Sequence, residues 1–172
     1  MNKEYTHVTH EFGPVYDKNS KILILGSLPS VKSRQQQFYY GHPQNRFWKV
    51  LSAALGESIG GSIDEKKRIM LKNHIALWDV IQSCDIIGSS DSSIKNVKEN
   101  DISVILDAAD IKAIFLNGAK AYELFKKYCG GIEDRNEPPA ILKLPSTSPA
   151  NAAWKTQQLI EAWGAELGKY LL

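Results

Sequence analysis

The chain has 172 residues, of which 43% are hydrophobic, and a formal net charge of +2. That is apolar material enough for one core without disulfides or metals, and a single domain over residues 1–172 is expected. A charge so close to balance excludes a protein that grips nucleic acid by charge alone, yet leaves DNA open as a partner.

In chain order, the start Met1-Asn2-Lys3-Glu4 is polar, with no signal-like apolar segment. The run Lys21-Ile22-Leu23-Ile24-Leu25, stopped by Gly26, reads as a strand buried on both faces. Phe47, Leu51, Ala54 and Leu55 fall at helical spacing, and a second helical segment surrounds Ile69 and Met70. His74–Trp78, Ala113–Leu116 and Ala140–Leu144 repeat the short apolar pattern. Ala119 to Tyr128 reads as helix ended by Gly130-Gly131, and a last helix is expected from about Ala152 to Tyr170. Ser83 to Asn100, rich in Ser and Asp, lacks periodicity and is expected to be a working loop. No run approaches the roughly 18 apolar residues that span a bilayer, so a cytoplasmic protein without membrane contact is expected. Cys84 and Cys129 lie far apart without ligand spacing, which predicts reduced thiols and no metal centre.

Strands alternating with helices predict an α/β fold, a three-layer α/β/α sandwich around a mainly parallel four-stranded sheet. In such folds the site gathers at the strand C-termini. Two loops there are unusual. One runs from Gly26-Ser27-Leu28-Pro29-Ser30 to Phe38-Tyr39-Tyr40-Gly41-His42-Pro43-Gln44-Asn45, dense in aromatics, prolines and glycines; it suits stacking on a planar ligand, or a hydrophobic cluster beneath a loop. The other, Pro145-Ser146-Thr147-Ser148-Pro149-Ala150-Asn151, places three hydroxyls before a predicted helix, which suits a phosphate or plain N-capping. Locally, Asn45 reads as the cap of a helix starting at Arg46, and His42 as a loop-ordering residue. Strand-end Asp79 and Asn117 are read either as turn caps or as site residues. Trp48, Trp78, Trp154 and Trp163 are expected to pack.

The segment Phe38 to Val50 resembles the first motif of the uracil-DNA glycosylase superfamily, and Leu144 to Asn151 resembles its second, a Pro-Ser loop that pinches the DNA backbone. With Gly26–Ser30 and Phe115–Gly118, the details look most like the hypoxanthine-DNA glycosylase branch. The resemblance implies a base-excision enzyme without cofactor that acts as a monomer on double-stranded DNA, single strands remaining open, and releases a flipped deaminated base. It implies catalytic roles for Asn45 and Asp79 and a base pocket of Gly26, Ser27, Leu28, Phe38, Tyr40 and Asn117, with Phe38 stacking on the base. Backbone contacts would come from Pro29, Ser30, Pro145, Ser146, Thr147, Ser148 and Asn151. Two departures stand out: Leu28 and Leu144 occupy places where the better-known uracil enzymes carry polar side chains. They favour the hypoxanthine branch over one alternative, a mismatch-specific uracil or thymine enzyme, and leave open a second, a non-catalytic nucleotide- or DNA-binding domain.

Overall fold

A computed structural model describes residues 4–171, so Met1, Asn2 and Lys3 of the polar start lie outside it. In chain order it holds β1 (Thr6–Thr9), β2 (Ile22–Gly26), α1 (Val31–Gln36), α2 (Phe47–Leu55), α3 (Ile63–Lys72), β3 (Ile75–Asp79), β4 (Ile81–Ile86), β5 (Lys95–Glu99), α4 (Ser103–Ala108), β6 (Ala113–Asn117), α5 (Ala119–Tyr128), β7 (Ala140–Leu144) and α6 (Thr156–Leu171). The expected sheet is present: β3, β2, β6 and β7 lie side by side, all parallel.

Strand β2 shows why the sandwich has two cores. Ile22 and Ile24 point to one face and meet α2, α3 and α6 through Phe47, Leu51, Met70, Leu159 and Trp163. Leu23 and Leu25 point to the other and meet α4 and α5 through Ile105, Leu124 and Phe125. Each strand residue buried on both faces removes a whole aliphatic side chain from water, about 1.5–3 kcal/mol apiece.

Four expectations are corrected. Ser83–Asn100 is not one loop: β4 and β5 run through it and form, with β1, a three-stranded antiparallel sheet in the order β1-β4-β5. Of β4 only Ile81, Cys84 and Ile86 are buried, and β5 is exposed along most of its length, so no continuous apolar run announces them. The last helix begins at Thr156, not Ala152, and Gly130 opens a 3₁₀ turn instead of a left-handed cap. Trp154 is 38% exposed rather than packed, whereas Trp163 is buried. No helix among the described residues is long and apolar enough to cross a membrane.

Candidate functional site

The parallel register sets Gly26 beside Asp79 and Asn117 beside Leu144, so the C-terminal ends of β3, β2, β6 and β7 form one rim. Both unusual loops leave from it, and one side chain joins them. Thr147, fully buried, donates from Oγ1 to Asn45 Oδ1 at 2.9 Å and accepts there from Asn117 Nδ2 at 3.0 Å. Asn117 Oδ1 in turn accepts from the Thr147 N–H at 3.0 Å, and the Thr147 carbonyl accepts from the Arg46 N–H at 3.0 Å. Every polar group of Thr147 is therefore used inside the protein. Arg46 completes the joint, its guanidinium donating to the carbonyls of Ser148, Asn151 and Trp154.

Asn45 supports the start of α2 and also faces the second loop. Its Oδ1 accepts from the Phe47 N–H at 2.9 Å as well as from Thr147, which uses both lone pairs of the amide oxygen. The expected cap shifts by one residue: α2 begins at Phe47 and its N-cap is Arg46, which makes no side-chain cap bond, while Asn45, one residue earlier, takes the Phe47 N–H. What the amide still offers is Nδ2, which meets no acceptor among the described residues. Asn45 can donate to a ligand but no longer accept.

Several expected site residues lie elsewhere. Thr147 faces inward and leaves the DNA-backbone set. Phe38 is 4% exposed, packed edge-on to Tyr39 and parallel to Trp48, so it has no free face for a base. Tyr40 stands at the rim instead, stacked on Phe47 with centroids 4.0 Å apart. Ser30 caps α1, its Oγ accepting from the Ser33 N–H, and Pro29 beside it is buried. Leu28 packs on the core, and Ser27 lends its carbonyl to Ile81. His42 does order its loop, Nδ1 accepting from Gln44 N–H at 3.1 Å.

The Pro-Ser loop keeps two hydroxyls outward. Ser146 Oγ accepts from the Ser148 N–H and Ser148 Oγ from the Ala150 N–H, each at 3.1 Å, which leaves both hydroxyl protons for an outside acceptor. Because α6 starts five residues beyond Asn151, this loop is not a helix entrance; an anion here would meet hydroxyls and turn N–H groups without a helix dipole. Gly118, at φ +99°, lets the loop close: a Cβ there would stand 2.9 Å from Ser146 Cβ.

Asp79 is 3% exposed and paired through Oδ2 with His10 Nε2 at 2.8 Å, a partner that sequence patterns did not suggest because His10 follows an exposed edge strand. Burial, and then the negative charge of Asp79, hold the phenols of Tyr39 and Tyr40 well above the ordinary tyrosine range, so both remain protonated. A cavity of about 300 Å³ beside Asn100, Tyr128 and Cys129 shares no residue with the rim. Its polar lining, Glu99, Asn100, Asp101, Ser103 and Arg135 among it, stands apart from both unusual loops.

Comparison with known proteins agrees in kind. The sequence profile described as the uracil DNA glycosylase superfamily matches residues 14–167. A hypoxanthine DNA glycosylase of Methanosarcina acetivorans is 41% identical over 143 residues, covering 81% of this chain and 86% of the relative. One from Methanosarcina barkeri is 41% identical over 115 residues, covering 65% and 72%. The solution NMR structure of a proposed uracil DNA glycosylase from M. acetivorans superposes with a TM-score of 0.76 at 35% identity, over 91% of this chain and 94% of that one.

Proposed function

This chain belongs to the uracil DNA glycosylase superfamily, and from that premise we propose that it is a monofunctional DNA glycosylase that removes hypoxanthine from double-stranded DNA and leaves an abasic site. It works as a monomer, in the cytoplasm. The observation that carries the reading is the Thr147 joint. It fixes the Asn45 amide of the first loop beside the hydroxyl-bearing turn of the second, as a base and its own sugar-phosphate would require. The names of the relatives supply the base.

The reaction needs water to bond to C1′ while the bond from C1′ to the base nitrogen breaks and its electron pair leaves with the base; the proton that the water sheds passes to solvent, and the departed base takes one up in its place. Positive charge grows on the sugar and negative charge on the base. Since Asn45 can only donate, its task is to place an Nδ2–H where the departing base becomes an anion. A neutral amide does this in a dry site without the cost of an unpaired charge. Ser146 and Ser148 hold the flanking phosphates by O–H donation. Taking the base from the stack costs a few kcal/mol and is easiest for a weakly paired base such as hypoxanthine.

The test is incubation of the purified protein, with and without EDTA, with labelled duplexes and single strands carrying deoxyinosine, deoxyuridine or deoxyxanthosine, followed by alkali. Cleavage at deoxyinosine in both conditions is expected. Cleavage at deoxyuridine alone would assign the uracil or thymine activity instead, and binding without an abasic product would make the chain a non-catalytic DNA-binding domain.

A further inference from the structure

The rim holds a polar cluster that the two loops supply only in part. His10 Nε2 and Asp79 Oδ2 are 2.8 Å apart with side chains 1% and 5% exposed. A carboxylate oxygen only accepts, so the proton lies on Nε2. Phe12 and Tyr39 hold the imidazole, with ring centroids at 4.5 and 5.8 Å. The other carboxylate oxygen, Oδ1, has no donor among the described residues. It lies 2.5 Å from where a Cβ on Gly26 would stand, and Tyr40 Oη lies 3.0 Å from that same point. Any side chain at position 26 would displace the pair.

Tyr40 Oη is also buried, with the Asn117 side chain beside it but no hydrogen bond of good geometry made, and Tyr40 is held there at φ 53°, a left-handed conformation uncommon for a bulky residue. A buried hydroxyl left unpaired is destabilising, and beside it the unpaired Asp79 Oδ1 is open to an outside donor. Strain of this kind gathers where a ligand completes the set.

We infer that Asp79 Oδ1 and Tyr40 Oη read the edge that deamination creates, and that His10 is the positioning residue that aims the carboxylate. In adenine this edge is a bare ring nitrogen beside an amino group; in hypoxanthine it is N1–H beside C6=O. Asp79 Oδ1 accepts from N1–H and Tyr40 Oη donates to O6, where charge collects as the base departs. Adenine would set its N1 lone pair against the carboxylate and is turned away. Guanine carries the same N1–H and C6=O, so its exclusion falls to its firmer pairing in the duplex. Without the Nε2–H of His10 the carboxylate turns about its last torsion and Oδ1 loses its aim.

This inference rests on the proposed function, and one assay separates the two. Single-turnover release is measured from deoxyinosine and from deoxynebularine, which lacks both N1–H and O6, each opposite a tetrahydrofuran abasic analogue so that pairing strength does not enter. Wild type should favour deoxyinosine, and Tyr40→Phe and Asp79→Asn should each shrink that ratio about 10- to 100-fold, the worth of one strong hydrogen bond. His10→Ala should shrink it as well, and His10→Gln, which retains an N–H donor, should restore most of it. Melting followed by circular dichroism checks each fold, and Tyr40→Phe removes only an unpartnered hydroxyl, so at least one variant reports on the native structure. A ratio in Tyr40→Phe equal to that of wild type overturns the inference while the proposed function stands. Wild type that releases no base from deoxyinosine overturns both.

Discussion

Replacing Thr147 by Val keeps the volume of the side chain and deletes the one hydroxyl that joins the two loops. The structure sets the cost. Asn117 Nδ2 loses its acceptor, and Asn45 Oδ1 loses one of two donors, in a place where Thr147 itself is fully buried. An unsatisfied buried amide costs about 1–3 kcal/mol, and for a chain of this size each kcal/mol lowers Tm by about 2–4 °C. Asn45 keeps its bond to the Phe47 N–H but can turn about it, so base release should slow by about tenfold or more, as when a transition-state contact loosens. Thr147→Ser is the control: it keeps the hydroxyl and removes a buried methyl, at a cost of about 1 kcal/mol. Thermal denaturation and single-turnover release from a deoxyinosine duplex are measured on both. The Ser variant should be less stable yet release base at nearly the wild-type rate, and the Val variant should lose on both counts. Equal rates for Thr147→Val and wild type would refute the joint as the element that positions Asn45.

Asn45→Asp retains an acceptor for Phe47 and Thr147 but removes the Nδ2 donors, so it should hold its stability within about 1 kcal/mol, the usual worth of a cap, and lose base release by about a hundredfold or more; unchanged release would remove Asn45 from the chemistry. Gly118→Ala forces a Cβ to 2.9 Å from Ser146 Cβ at φ +99° and should cost on the order of 1–3 kcal/mol, with weaker binding of abasic-analogue DNA as the Ser146 turn is pushed outward; full stability in urea denaturation would contradict that contact. Alkaline titration should destabilise the fold. Burial first, and then Glu99 and Asp101, push the Cys129 thiol up to about 11 from 9.0, while burial and Asp79 raise Tyr39 and Tyr40 above 10.0. Groups raised in this way contribute stability below their unfolded values and lose it above them, so unfolding free energy should be flat to about pH 9 and fall as pH rises further. A Tm constant to pH 11 would refute these shifts.

Much of the scaffold was legible before any coordinates. β2, β3 and β6 announced themselves as apolar runs, since a strand buried on both faces needs no alternation, and the partly exposed edge strand β7 was legible from the same short pattern. The loops Gly26–Asn45 and Pro145–Asn151 stood out because Gly, Pro and aromatic residues crowd where neither strand nor helix pattern continues. The hidden parts share a cause. β1, β4 and β5 form a sheet with much of its surface exposed, and their polar residues gave no period to read. Phe38 and Tyr40 sit two apart in one aromatic run, and composition does not tell which ring is buried.

What the residues determined by themselves was which stretches must be buried and where the chain must turn, because an element's own periodicity encodes those. Which polar atoms meet was decided only in three dimensions. Thr147 and Asn45 are 102 positions apart, and His10 and Asp79 are 69. Such pairs have no local signature: a hydrogen bond is a matter of distance and angle between two atoms, and over separations like these only the packing of the sheet and its layers brings those atoms within reach.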